Sequence, residues 1–254
     1  MRITIKIGSN VLTRADGSLD VTRMSALVDQ IALLRQQGHE IILVSSGAVA
    51  SGRGELKHIQ NDLDSVDQRQ LFSAVGQAKL INRYFELFRE YGISVGQVLT
   101  TKENFQDTEH RKNQENCMRV MLENGVLPIV NENDTVSVTE LMFTDNDELS
   151  GLMAQMTRSQ MLIILSNIDG IYTGNPADPE AHLISIVKPG KDLSDYIQAS
   201  KSAAGRGGMQ SKSSVATRIA AAGISVIIAN GRRDDILVKL MNDRDNTPCT
   251  EFLI

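Results

Sequence analysis

Short apolar runs rich in β-branched residues alternate along this chain with longer stretches whose apolar positions recur every three or four residues, the pattern of buried strands separated by amphipathic helices. Arg2 to Ile7 opens the series. Ile3, Ile5 and Ile7 fall on one face and Thr4 and Lys6 on the other, which predicts a first strand with a lysine well inside it. After Gly8, Ser9 and Asn10, Asp16-Gly17 is a hairpin signal between Val11-Leu12 and Leu19. Met24, Leu27, Val28, Ile31 and Leu34 predict a helix that Asp20 or Thr22 could cap and Gly38 stops. Glu40 to Val44 reads as a second buried strand; it ends in Ser45-Ser46-Gly47-Ala48, a small-residue turn into a short helix, and then Gly52-Arg53-Gly54. Glu55 to Val66 has no apolar period and is expected to be a long surface loop, a kind of segment that often carries function.

Leu71, Val75, Ala78, Ile81, Phe85 and Phe88 predict a long helix over Asp67 to Tyr91, closed by Gly92. A strand over Ser94 to Leu99, a helix over Gln106 to Asn124 and a strand over Gly125 to Val130 follow. Asn131-Glu132-Asn133-Asp134 then falls just past a strand's carboxyl end, where open α/β sheets bind ligands. Val136, Val138 and Leu141 alternate as in a half-exposed hairpin, which would bring Thr144-Asp145-Asn146-Asp147 back beside the first cluster. Beyond it come a helix over Asp147 to Thr157, a strand over Met161 to Leu165 and a turn over Ser166 to Thr173. A helix opened by Gly205 to Lys212 runs to Gly223, with strands over Val226 to Ala229 and Phe252 to Ile254. Strands alternating with helices throughout imply an α/β fold, a mainly parallel sheet covered on both faces.

Composition narrows the function classes. The chain has 254 residues and no stretch that reads as a linker, so a single domain over 1–254 is expected. A formal net charge of −5 argues against a nucleic-acid surface. The apolar runs are far shorter than the ~18 residues of a spanning helix, and the first residues read as a strand instead of a leader, so a cytoplasmic protein that meets no membrane is expected. Cys117 and Cys249 are too few and too distant for a disulfide framework or a zinc site.

Two lysines carry the chemical argument. Lys6 lies in a strand expected to be buried, where an ammonium costs several kcal/mol unless an anion meets it. Lys212 falls in the first turn of a helix, where the dipole disfavours a cation unless it too faces an anion. Glycines at Gly8, Gly47, Gly170 and Gly205 to Gly208 follow strands or open helices, and such turns aim N–H groups at phosphate. None matches the P-loop or dinucleotide fingerprint. Cations on both sides of a shared anion, backbone donors and a positioning carboxylate are the parts a phosphoryl transfer needs.

The segments KIGSNVL (Lys6 to Leu12), VSSGAVASG (Val44 to Gly52), AVGQAKL (Ala74 to Leu80), VNENDTV (Val130 to Val136), TDNDELSGL (Thr144 to Leu152), ILSNIDGIYT (Ile164 to Thr173) and GRGGMQSK (Gly205 to Lys212) together resemble the amino acid kinase family. The SSGA, NEND and DND segments resemble its glutamate-phosphorylating branch. The resemblance implies a three-layer αβα sandwich around a mainly parallel eight-stranded sheet, with a glutamate-binding half over roughly 1–150 and a nucleotide-binding half over 151–254. It implies transfer of the ATP γ-phosphate to the side-chain carboxylate of L-glutamate, as a step of proline synthesis. By position, Lys6 and Lys212 would flank the moving phosphoryl group and Asp145 would organise both lysines. Gly8 and Gly47 would give N–H groups to the phosphates. Ser46, Gly47, Asp134, Asn146 and Asp147 would hold glutamate, with Asp134 on its ammonium. Ser166, Asn167, Arg206, Gly207, Gly208, Met209, Gln210, Ser211 and Lys212 would border the nucleotide. Mg²⁺ carried by phosphates and water, feedback inhibition by proline through the glutamate site and the Glu55 to Val66 loop, and a homo-oligomeric state, dimer or tetramer, are implied as well.

The chain departs from the family pattern at Asn167, where an aspartate is usual, and at Arg206 and Ser211, where threonines are usual. All three bear on nucleotide affinity. Another carboxylate or carbamate kinase of the same fold is the alternative enzyme. A non-catalytic amino-acid sensor is the alternative outside catalysis, and it would have no need of the lysine pair.

Overall fold

The computed structural model describes residues 1–58, 63–137, 143, 145–193, 196 and 208–254. Its frame is an eight-stranded sheet in the order β3-β4-β2-β1-β5-β7-β8-β6. The strands are β1 Arg2–Ile7, β2 Glu40–Ser45, β3 Val95–Thr100, β4 Leu127–Glu132, β5 Met161–Ser166, β6 Ile186–Val187, β7 Ser225–Asn230 and β8 Cys249–Phe252. The first six in spatial order are parallel; β8 runs antiparallel to β7, and β6 is parallel to β8. β1 lies between β2 and β5, where the chain's progress across the sheet reverses direction, and such a switch point opens a crevice at the carboxyl ends of the strands.

The helices are α1 Ser9–Leu12, α2 Val21–Gln36, α3 Ala48–Glu55, α4 Ser65–Arg89, α5 Glu103–Gln106, α6 Thr108–Glu123, α7 Asn146–Met156, α8 Met209–Ala221 and α9 Ile236–Asn242. The odd residues of β1 pack with Met24, Leu27 and Ile31 of α2, Tyr84 and Phe88 of α4, and Ile236 and Leu240 of α9. The opposite face of the sheet splits into two clusters. Ile42, Val44 and Val130 meet Met118 of α6 and Leu149 and Met153 of α7, while Leu162, Ile164 and Val226 meet Val215, Ala216 and Ile219 of α8. The result is the expected sandwich, with every strand of its centre covered twice, as a parallel sheet requires.

Local chemistry explains the boundaries. Asp20, not Thr22, caps α2, its side chain accepting from Arg23 N. Asp64 accepts from Val66 N and Asp67 N and so starts α4 ahead of the predicted Asp67. Asp16-Gly17 does turn the chain, with Gly17 at φ 79° and an antiparallel bridge between Thr13 and Leu19, but Val11 and Leu12 are helical and buried. Gly52 and Gly54, predicted to follow a short helix, lie within α3. A Cβ at Gly52 would stand 1.8 Å from the Phe72 carbonyl oxygen and one at Gly76 1.8 Å from that of Ala48, so α3 and α4 touch backbone to backbone. The strand before NEND runs on through Glu132, which puts half of that cluster inside the sheet. The closing strand is Cys249–Phe252 in place of Phe252 to Ile254, and β6 and α9 had no counterpart in the pattern. The predicted hairpin over Val138 and Leu141, the middle of the Glu55 to Val66 loop, Thr144, and the turn from Gly205 to Gly207 lie outside the described residues.

Candidate active site

Lys6 sits opposite Val44 of β2 and Ile164 of β5, at the centre of the sheet, and only 4% of it is exposed. Its partner comes from the first turn of α7. Asp147, wholly buried, receives Lys6 Nζ on Oδ1 at 2.5 Å and Lys212 Nζ on Oδ2 at 3.0 Å. Burial alone would raise the Asp147 carboxyl, but the two ammonium groups outweigh it and hold it below the usual carboxylate range. Packing brings the second lysine in. A Cβ at Gly151 would lie 3.0 Å from Val215 and Ile219, so α7 and α8 approach closely there. One turn earlier on each helix stand Asp147 and Lys212.

Asp145 was expected between the lysines; the structure puts Asp147 there. Asp145 is the N-cap of α7, and its Oδ1 accepts from Asp147 N at 2.8 Å and Glu148 N at 3.1 Å. Its Oδ1 is turned back onto its own helix, and the residue two places on meets both lysines instead. Burial, with the neighbouring Asp147 charge, raises the Asp145 carboxyl.

A second charged group lies at the end of β4. Arg69, on α4, donates from Nε to Asp134 Oδ1 at 2.5 Å and from Nη2 to Glu132 Oε2 at 2.6 Å. Glu132 Oε1 also accepts from Phe143 N at 2.9 Å. Both carboxylates are buried, and Glu132 is pushed up by that burial and by Asp134, with Arg69 opposing. Between the two groups runs a neutral track. Asn146 Nδ2 donates to Ser46 Oγ at 2.9 Å and to Asn131 Oδ1 at 2.9 Å, and Asn131 Nδ2 donates to Gln77 Oε1 at 2.8 Å. Gly47, with φ 108°, turns the chain from β2 into α3 in a conformation that glycine adopts without strain.

The crevice thus has a charged group at each end. Two ammonium groups, Lys6 and Lys212, meet the Asp147 carboxylate at one end, with the Asp145 carboxyl beside them, and one guanidinium, Arg69, meets the Glu132 and Asp134 carboxylates at the other. Arg69, Gln77 and Glu132 were not among the predicted site residues.

The nucleotide-side residues are partly described. Ser166 ends β5 and is buried, Asn167 follows it exposed, and Ser166 carries the Gly231 amide on its carbonyl at 2.8 Å. Gly208 is the N-cap of α8, with Met209, Gln210 and Ser211 in the first turn beside Lys212. Arg206 and Gly207 lie outside the described residues. Gly8 needs a correction. Its N–H donates to Leu165 O at 3.1 Å and is not available to phosphate. What the glycine provides is room, since a Cβ there would stand 3.2 Å from Leu165 O and 3.5 Å from Lys6 Nζ.

A parallel sheet with a buried, cation-rich site at its switch point defines a phosphoryl-transfer enzyme of the αβα class, and residues 1–230 match the model of the amino acid kinase family, to which the chain belongs. A protein of Bacteroides thetaiotaomicron named glutamate 5-kinase is 70% identical over 252 residues, covering 99% of this chain and 70% of its own length. Another of that name, from Symbiobacterium thermophilum, is 43% identical over 94% of this chain and 92% of its own. Among solved structures, carbamate kinase from Giardia lamblia bound to AMP-PNP superposes with a TM-score of 0.70 at 16% identity, over 99% of this chain and 98% of that one. Isopentenyl phosphate kinase gives 0.68 at 16% identity, over 99% and 100%. These distant structures speak for the fold alone.

Proposed function

We propose that this chain transfers the γ-phosphoryl group of ATP to the side-chain carboxylate of L-glutamate, giving L-glutamyl 5-phosphate and ADP, the first step toward proline. The observation that carries the reading is the buried Lys6–Asp147–Lys212 group, two ammonium groups on one carboxylate, in a chain 70% identical to a glutamate 5-kinase. A carboxylate oxygen of glutamate forms the new bond to phosphorus while the bond to the ADP oxygen breaks. In that passage charge is spread over the three phosphoryl oxygens and the oxygens in line with them, and two desolvated ammonium groups already fixed in place stabilise it without reorganising. Asp147 keeps the lysines apart and aimed, while Asp145 holds the head of α7 that carries it.

Asp134 receives the substrate ammonium, and Ser46, Gly47 and Asn146 border the carbon chain between the charged ends. Ser166, Asn167 and the turn from Arg206 through Ser211 border the nucleotide, so that residues 1–150 supply most of the glutamate site and 151–254 most of the ATP site. Mg²⁺, which would neutralise phosphate charge when bound, would be held largely by phosphate oxygens and water, and Asp145 Oδ2, a buried oxygen without a hydrogen-bond partner, is a protein oxygen able to receive such an ion or its water. No helix of the described residues is long and apolar enough to cross a membrane. A cytoplasmic homo-oligomer inhibited by proline at the glutamate site completes the proposal. ADP release with L-glutamate, N-acetyl-L-glutamate and carbamate as separate acceptors tests it. Release with glutamate alone is expected; release only with another acceptor would reject the substrate, and none with any would favour a sensor.

A further inference from the structure

We propose that Arg69 is the receptor for the α-carboxylate of the amino-acid substrate, a role that rests on the glutamate reading above. The substrate's ammonium and α-carboxylate hang on one carbon, so whatever holds the first sits within a few ångströms of what can hold the second. Arg69 Nε lies 2.5 Å from the Oδ1 of Asp134, the carboxylate assigned to the ammonium. A guanidinium is the side chain best shaped to receive a carboxylate, through two parallel N–H bonds.

The charges of the group support an exchange of partners. One guanidinium stands against two buried carboxylates, Glu132 and Asp134, 4% and 8% exposed, in a site largely shut from water. An arriving zwitterion adds no net charge but redistributes what is there. Its ammonium joins the two carboxylates, and its α-carboxylate takes up the guanidinium that they release. Arg69 is anchored at the start of α4, whose next turns touch α3 backbone to backbone at Gly52 and Gly76, so the receiving group is fixed relative to Ser46 and Gly47 at the head of α3. A guanidinium needed only as a counter-ion for Glu132 and Asp134 could be replaced by any cation; one that reads an α-carboxylate could not.

The test pairs a change in the protein with a change in the substrate. 4-Aminobutyrate keeps the ammonium and the distal carboxylate of glutamate and lacks the α-carboxylate. Wild-type protein and Arg69→Gln are assayed for ADP release with each acceptor, as kcat/KM, or as an inhibition constant against glutamate where turnover is too slow. The wild type should favour glutamate by at least about 100-fold. Arg69→Gln should cut glutamate kcat/KM by roughly the same factor and leave 4-aminobutyrate unchanged or improved, because the ammonium then has both carboxylates to itself. Equal losses for both acceptors would assign Arg69 to propping Asp134 and overturn the proposal, as would a wild type that does not discriminate. Arg69→Lys, which keeps the charge and loses the fork, guards against a variant that does not fold: it should lose glutamate selectivity in part, and full selectivity would also overturn the role. Failure of the function itself appears separately, as a wild type that does not use glutamate.

Discussion

Asp147→Asn would replace the carboxylate that two buried lysines share with an amide of the same shape. Side-chain exposures are 0% for Asp147, 5% for Lys6 and 10% for Lys212, so neither ammonium can turn to water without moving the strand or helix that bears it. Removing one partner of a buried pair costs about 3–5 kcal/mol, because the remaining charge stays desolvated and unpaired. For a domain of this size that loss lowers Tm by roughly 6–20 °C. The pH dependence has a definite sign. In the wild type the two ammonium groups hold the Asp147 carboxyl below its unfolded value, so that contribution is complete above about pH 4 and is lost as pH falls through the lower folded value. Urea unfolding of both proteins from pH 7 down to pH 3 checks this: the deficit of the variant should hold near neutrality and shrink toward the acid end. A variant within about 1 kcal/mol of wild type at pH 7 would mean the lysines are solvated or paired elsewhere, and the reasoning about the triad would fail.

Lys212→Ala should lower kcat by orders of magnitude while glutamate binding, measured by calorimetry, changes little, since the charge matters most as the phosphoryl group moves; near wild-type turnover would remove Lys212 from the chemistry. Asp134→Asn should weaken glutamate at least tenfold, in line with about 2–5 kcal/mol for a desolvated charge pair, and leave ATP binding in the same titrations nearly unchanged. Asn167→Asp, at an exposed position past β5, should alter the KM for ATP with no change in Tm, and a shift in glutamate affinity alone would misplace the nucleotide edge.

Lys6 was legible because a lysine at an inward position of a short apolar run has few bland explanations, and the sandwich followed from the alternation of strand and helix patterns. Asp145 and Asp147 were not separable by the same means. Both are acids two residues apart at a helix start, and which one caps and which one faces the sheet depends on where the helix begins, the quantity that sequence pattern fixes least well. Arg69 was hidden for a different reason: between Gln68 and Gln70 on a long amphipathic helix it reads as an ordinary solvated residue, and only the crossing of α4 over the end of β4 turns it toward two carboxylates. β6 has two residues and α9 seven, too little periodicity to stand out from their surroundings.

The placement of Lys6 also bears on how the chain can be made. β1 is synthesised before the partners that complete it: its neighbour β5 and the carboxylate that meets its lysine come from residues 147–166, and the second lysine from residue 212. A nascent chain that stops short of residue 147 has a strand it cannot bury without stranding a charge, so the sheet's centre stays unformed until α7 and β5 have been made. The proposed glutamate and nucleotide halves would therefore differ in ligand contacts alone, since residues 1–146 lack the strand and the carboxylate that complete β1.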